Sequence, residues 1–409
     1  MASDLRRAVV LGPAGCIYPG SPQDYTAAGN PAFFQDTRTR WARMWADWPT
    51  LEPTAGQIDA AKFAALDKQI AAARRDGLRV VLTLYRFPTW ANGTAVYTPE
   101  QLAATMPDRR TAGQSDAQAR SLLFRPPDDV SPTSPFGRFV DRLLARYGRG
   151  NPTRPSLDAV IDVLEVCNEP NLQWWPQQDP NPASAYASDG TKISVHRTVA
   201  RMFATAKQLA AARPMSPILT GPGCADVTNT NRLSTGYASF APRFLPELAA
   251  QGFTAGPSFA YSHHNYTDVT FDQGANTTAP DRATTTRTTN YAADMRRRLI
   301  AGGWAGWPNG SSANPGLLLT EGGVTLASIA SATRWNIPDR PSQLAKQAEL
   351  LQRNWDRMNA GPDSAGISMV SQYLWYTDPN YDSGLCETSE SGGAKRPAYT
   401  TWRSLPSRV

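Results

Sequence analysis

Eight short apolar runs recur along the chain, most of them separated by segments with helical periodicity, and this alternation restricts the available folds more than any other feature. The runs are 8–13 (AVVLGP), 41–48 (WARMWADW), 79–86 (RVVLTLYR), 160–168 (VIDVLEVCN), 217–222 (PILTGP), 258–266 (SFAYSHHNY), 316–321 (GLLLTE) and 367–375 (ISMVSQYLW). Several are near-continuous rather than alternating, as expected of parallel strands covered on both faces. Eight such strands with helices between them are what a closed (β/α)₈ TIM barrel, an α/β fold, requires. The clearest helix is 59–76, where Phe63, Leu66 and Ile70 share one stripe and Asp59 and Gly77 occupy the N-cap and C′ positions. Similar patterns cover 135–148, 192–212, 238–251, 287–301, 342–359 and 397–404, and only the first crossover lacks one.

A chain of 409 residues accommodates such a barrel with long βα loops as a single domain, 1–409. With 41% hydrophobic and 19% charged residues it has the composition of a folded globular protein, not a disordered one. The net charge of +6 suggests a polyanionic partner, but the basic residues are scattered. Arg296-Arg297-Arg298 reads as a solvated helix face, so no nucleic-acid partner is expected. No apolar run is long enough to span a membrane, and none is expected to be a partner. The N-terminus lacks the layout of a secretory leader, and Met1-Ala2-Ser3 reads as an added start in place of a removed one. Cys16, Cys167, Cys224 and Cys386 are too few for a disulfide scaffold and lack zinc-type spacing. In a barrel, Cys16 and Cys386 would follow neighbouring strands and could pair. The polar stretch 88–133 would follow strand three, where it is either a functional loop or a surface excursion without a role.

Two carboxylates stand out. Asn168-Glu169-Pro170-Asn171 closes the fourth run and Thr320-Glu321-Gly322-Gly323 closes the seventh, and C-terminal strand ends are where barrels mount catalytic groups. The paired glycines let the chain turn sharply beside a ligand. Glutamates at the ends of strands four and seven, with Asn before the first, resemble the retaining glycosidases of clan A, which include cellulase-like family 5 and xylosidase-like family 39. Other segments resemble the same families. Arg43, in Arg43-Met44-Trp45-Ala46-Asp47-Trp48 ahead of Leu51-Glu52-Pro53, is similar to their strand-two arginine, and Pro88-Thr89-Trp90-Ala91 to their strand-three loop. His264-Asn265-Tyr266 is similar to their His-x-Tyr, Trp375 to a sugar-stacking Trp on strand eight, and Lys395-Arg396-Pro397-Ala398-Tyr399 to their last helix. The resemblance runs from about residue 8 to 405.

It implies hydrolysis of a β-glycoside by double displacement, with Glu321 as nucleophile and Glu169 as general acid/base, on an oligosaccharide, polysaccharide or glycoconjugate. Such chemistry needs Glu321 ionised and Glu169 protonated, which is met if Arg43 and Tyr266 stabilise the former while its charge raises the pKa of the latter. Asn168 would bind the sugar 2-hydroxyl, and Trp90 and Trp375, with Trp174 and Trp175, would offer stacking faces. Glu165 lies on the same strand side as Glu169 by parity, needs a partner such as an arginine, and is read as structural. His263 and His264 face opposite sides, so only His264 is expected in the pocket. With only three histidines, one of them in a helix, no metal site and no cofactor are expected. A transglycosylase would use the same residues, and a non-catalytic carbohydrate-binding barrel is the rival from another class. The sugar, its linkage, exo or endo action and the oligomeric state stay open. The resemblance implies secretion, with cytoplasmic use as the alternative.

Overall fold

The computed structural model describes residues 7–10, 24–26, 30–92, 126–149, 158–172, 195–213, 216–227, 236–253, 259–270, 291–302, 316–332, 335–360, 367–378, 381–388 and 393–406. Its strands are β1 (Arg7–Val10), β2 (Trp41–Asp47), β3 (Arg79–Tyr85), β4 (Val163–Glu165), β5 (Ile218–Cys224), β6 (Phe259–His264), β7 (Leu317–Glu321) and β8 (Ile367–Gln372). They form a closed barrel in sequence order. Neighbours run parallel, and β1 closes on β8 with Arg7 opposite Val370. Each expected run therefore contains a strand. In β2 and β7 every residue is buried, as the apolar sequence requires when helices cover one face and barrel side chains the other.

The helices are α1 (Asn30–Asp36), α2 (Trp48–Leu51), α3 (Ala60–Arg75), α4 (Pro135–Tyr147), α5 (Val195–Ala211), α6 (Tyr237–Ala250), α7 (Tyr266–Val269), α8 (Tyr291–Ala301), α9 (Leu326–Ser331), α10 (Arg340–Ala360) and α11 (Pro397–Ser404). α3 begins where Asp59 accepts a hydrogen bond from the Lys62 amide at 3.0 Å and ends before Gly77, whose φ of 79° suits glycine. α4 starts from Ser134, whose hydroxyl accepts from Gly137 N at 3.1 Å, with Pro135 next. It buries Phe136, Phe139, Val140, Leu143 and Leu144, each contributing roughly 1.5–3 kcal/mol. α1 supplies the first crossover, whose sequence shows no clear periodicity.

The fourth strand departs from expectation. The run 160–168 predicts a strand reaching Asn168, yet β4 stops at Glu165. Beyond it the chain stays beside β5 through Val166 N to Thr220 O at 3.0 Å and Glu169 N to Gly223 O at 3.1 Å, without regular pairing. Glu169 itself has φ 48°, a left-handed conformation that costs a non-glycine residue roughly 1–3 kcal/mol and persists only where neighbours enforce it.

Among the described residues no helix is long and apolar enough to cross a membrane. Trp174, Trp175, Cys16 and most of the stretch 88–133 lie outside the described residues; Cys386, expected to pair with Cys16, is instead a buried free thiol.

Candidate active site

Arg43, in the middle of β2 and fully buried, organises the C-terminal mouth of the barrel. Its Nε donates to Glu165 Oε2 at 2.6 Å, its Nη2 to Asn168 Oδ1 at 2.7 Å and its Nη1 to Glu321 Oε1. The guanidinium lies 4.3 Å over the Trp45 ring. Burial opposes its charge, but the Glu165 and Glu321 carboxylates more than offset this and hold its pKa above the ordinary value.

Glu321, the last residue of β7, is held from both sides. The Tyr266 hydroxyl, at the start of α7, donates to Oε2 at 2.8 Å, opposite the Arg43 contact on Oε1. His264 ends β6 with Nδ1 at 2.9 Å from Glu169 Oε1 and 3.6 Å from Glu321 Oε2. Burial raises the pKa of Glu169, and the charge of Glu321 adds to this, against the opposing pull of His264 and Arg43. Burial disfavours charge on His264, yet the Glu321 and Glu169 carboxylates raise its pKa above the ordinary value.

Glycines make the packing possible. Gly223, with φ 61°, lies so close to its neighbours that a Cβ there would stand 3.0 Å from Glu165 Oε1 and 3.4 Å from His264 Nε2. A Cβ on Gly322 would meet Asn265 Oδ1 at 2.4 Å. The glycine after Glu321 thus admits a close side chain, a different use from the ligand approach expected of it.

The structure brings Arg43, Asn168, Glu169, His264, Tyr266 and Glu321 together. His263 is buried on the other side, its ring 5.4 Å from that of Tyr237, as strand parity predicts. Glu165 meets the expected arginine and also accepts from Thr83 Oγ1 at 2.6 Å and Thr320 Oγ1 at 3.0 Å. Trp90 is half-buried, donates from Nε1 to Glu52 O at 3.1 Å and lies 5.7 Å from the Trp48 ring. Trp375 requires correction as a stacking face. It is fully buried with its ring 4.8 Å from Phe33 and 4.3 Å from Phe34, because the chain leaves β8 at Gln372 and carries it into the space over α1.

Tyrosines stand beside the carboxylates instead. The rings of Tyr266, Tyr373 and Tyr381 pack edge to face at 6.0, 5.9 and 5.2 Å. Burial raises the pKa of Tyr373 and of Tyr381, and the charges of Glu321 and Glu169 add to both. Tyr85, which ends β3, feels the same two charges. Its place at a strand end was the signal for it. Tyr381 carries no such signal, since its loop is placed by Arg396, whose Nη2 donates to Asp382 Oδ1 at 2.5 Å and Glu387 Oε2 at 2.7 Å.

Donor atoms of Glu169, His264 and Glu321 lie within 4.8 Å of one another, near enough to converge on one cation. Both Glu321 oxygens are already engaged, however, and the Arg43 guanidinium supplies a fixed positive charge at the same place. The set suits a proton better than a metal.

No known family profile matches the sequence, and no curated protein matches it. Solved structures do match the fold. A glucosidase from Croceicoccus marinus is similar with a TM-score of 0.57 at 14% identity, over 98% of this chain and 67% of its own. Xylanase B from Clostridium stercorarium F9 is similar with a TM-score of 0.53 at 13% identity, over 99% and 100%. A family 39 glycoside hydrolase from Bacteroides cellulosilyticus WH2 gives 0.53 at 15%, over 99% and 64%. The shared feature is the (β/α)₈ barrel fold. Identities this low carry the architecture alone.

Proposed function

We propose that this protein is a retaining glycoside hydrolase acting on a β-linked carbohydrate through Glu321 as nucleophile and Glu169 as general acid/base. The observation that carries the reading is the approach of the two carboxylates, one oxygen of each lying within 4.8 Å of the other and of a ring nitrogen of His264. Retaining enzymes place the pair about 5–5.5 Å apart, whereas inverting ones leave about 6.5–9.5 Å for a water.

In the first step Glu321 attacks the anomeric carbon as the glycosidic C–O bond breaks, and Glu169 delivers its proton to the departing oxygen. Arg43 and Tyr266 hold the two Glu321 oxygens so that one lone pair faces the sugar. Once the ester forms, the charge on Glu321 is gone, and with it the share of the rise in the Glu169 pKa that this charge adds to burial. Glu169 then ionises more readily and takes a proton from water, which attacks the anomeric carbon and releases Glu321. The hydrogen bond between His264 Nδ1 and Glu169 Oε1 orients the Glu169 carboxyl through this cycle. Asn168, anchored by Arg43 through its Oδ1, meets a sugar hydroxyl with its side-chain amide.

The test is nucleophile replacement with azide on a 2,4-dinitrophenyl β-glycoside panel. Glu321→Ala should lose activity by several orders of magnitude and, with azide, give the glycosyl azide of inverted configuration. Glu169→Ala should give the retained one, because azide then attacks the ester on Glu321. A wild type that binds sugars without turnover would refute the assignment in favour of a carbohydrate-binding barrel, and without azide turnover surviving Glu321→Ala, or undiminished in Glu169→Ala, would refute the residue roles.

A further inference from the structure

The double displacement above uses Glu169 and Glu321 but leaves a third carboxylate unexplained. Glu165 is entirely buried one layer deeper in the barrel. A buried carboxylate costs several kcal/mol unless it is fully paired, and replacement by an apolar residue would be the simpler way to fill a core. Here the surroundings are built to keep it ionised. It accepts from Arg43 on β2, Thr83 on β3 and Thr320 on β7, and the backbone of Gly223 on β5 leaves room for Oε1. Burial opposes the charge, but Arg43 and then His264 outweigh it and keep Glu165 below the ordinary carboxylate range.

We propose that Glu165 is a positioning residue whose negative charge, placed behind Arg43 and His264, balances the arginine and keeps the working proton on the Glu169–His264 pair. The proposal rests on the assignment of Glu169 and Glu321 given above. Arg43 spans two carboxylates, Glu165 behind and Glu321 in front. Without the rear anion, the whole guanidinium charge would fall on Glu321, holding the nucleophile more tightly and making it less reactive. The same unbalanced charge would draw the proton off Glu169. His264 occupies the matching position on the other side. Its Nδ1 contacts Glu169, while its Nε2 faces Gly223 and, among the described residues, has no hydrogen-bond partner. Glu165 and Glu169 thus flank one imidazole, and the charge of each favours protonation of the other group in that chain.

The remaining groups around Glu169 are accounted for. Arg43 comes from β2, Tyr85 from β3, Cys224 from β5, His264 from β6, Tyr266 from α7, Glu321 from β7, and Tyr373 and Tyr381 from the segment after β8. Arg43 and His264 are the only two of these that can carry positive charge, and both touch or face Glu165.

The experiment measures kcat, KM and the pH profile on whichever dinitrophenyl β-glycoside the wild type turns over fastest, for Glu165→Gln and Glu165→Asp. In Glu165→Gln the alkaline limb of kcat/KM should move to lower pH by about one unit. Its kcat at the optimum should fall at least about tenfold with KM nearly unchanged, because Glu165 does not reach the pocket surface. Glu165→Asp keeps the charge and shortens the reach, so its limb should stay at the wild-type position while kcat falls. A Glu165→Gln limb that does not move overturns the proposal, whatever happens to the melting temperature. If Glu165→Gln fails to fold, Glu165→Asp decides: a limb that moves to lower pH although the charge is kept overturns the proposal, and a limb and KM at their wild-type values support it. A wild type inactive on every glycoside is a failure of the hydrolase assignment, seen before either variant is made.

Discussion

Tyr266→Phe removes one oxygen and nothing else. The ring keeps its edge-to-face neighbours at 6.0 and 5.9 Å, so the pocket wall should stand. The loss is the 2.8 Å hydrogen bond to Glu321 Oε2, a donor on a carboxylate in a dry site. A charge-assisted bond of that kind contributes about 1.5–3 kcal/mol when fully formed. Its effect on the two chemical steps differs because the charge on Glu321 falls in the first and returns in the second. If about half the charge has returned at the deglycosylation transition state, about half the bond energy is lost there, a roughly 4- to 13-fold slowing. In glycosylation the free enzyme loses the whole bond and the transition state only about half of it, so this step should not be slowed. With a dinitrophenyl β-glycoside, where the good leaving group makes deglycosylation limiting, kcat should fall by that factor while kcat/KM does not fall. Stopped-flow release of dinitrophenolate should show a larger burst relative to the steady rate. If kcat/KM falls as much as kcat or more, Tyr266 is not acting on the returning charge of Glu321 and the reasoning fails.

Four other outcomes follow from the geometry. Activity of the wild type should persist above the ordinary carboxylate range and fall as pH rises through the raised pKa of Glu169, since the acid must hold its proton; a profile falling off at the unperturbed value would contradict the burial of Glu169. Trp375→Ala should lower unfolding free energy by about 3–5 kcal/mol in urea while leaving KM of the folded enzyme unchanged, whereas Tyr381→Ala should raise KM. Gly223→Ala should reduce both stability and kcat, because a side chain strains the left-handed backbone and a methyl group 3.0 Å from Glu165 Oε1 displaces that oxygen. Asp59→Ala should cost about 1 kcal/mol in urea with turnover unaltered, as expected of a remote helix cap.

The barrel was legible in the sequence because parallel strands covered on both faces must be apolar throughout, and that signal is local. So were the start of α3 at Asp59 and its end at Gly77, where cap chemistry acts over three or four residues. Glu169 and Glu321 could be picked out because they terminate such runs with turn-forming neighbours. At β4 parity placed Glu165 inside the barrel, where it meets Arg43, but regularity ended sooner than the pattern implied. Glu165 ends the regular pairing, and the chain reaches Glu169 through a left-handed residue that no alternation pattern predicts. Parity worked at β6, where it separated His264 from His263, because both residues still lie within the paired strand.

Trp375 and Tyr381 mark the other boundary. A tryptophan just past the eighth strand looked like a sugar platform, but whether its ring faces a pocket or the core depends on how the chain turns after Gln372. That turn is set by contacts with Phe33 and Phe34, more than three hundred residues earlier in the chain. Tyr381 reaches the site only because Arg396 holds its loop through Asp382 and Glu387. Local sequence carried the repeating elements and the two glutamates, whose signals lie within a few neighbours. Tertiary structure alone decided which aromatic rings border the pocket and that Arg43 joins Glu165 to Glu321, because those are contacts between distant strands whose energies depend on three-dimensional placement.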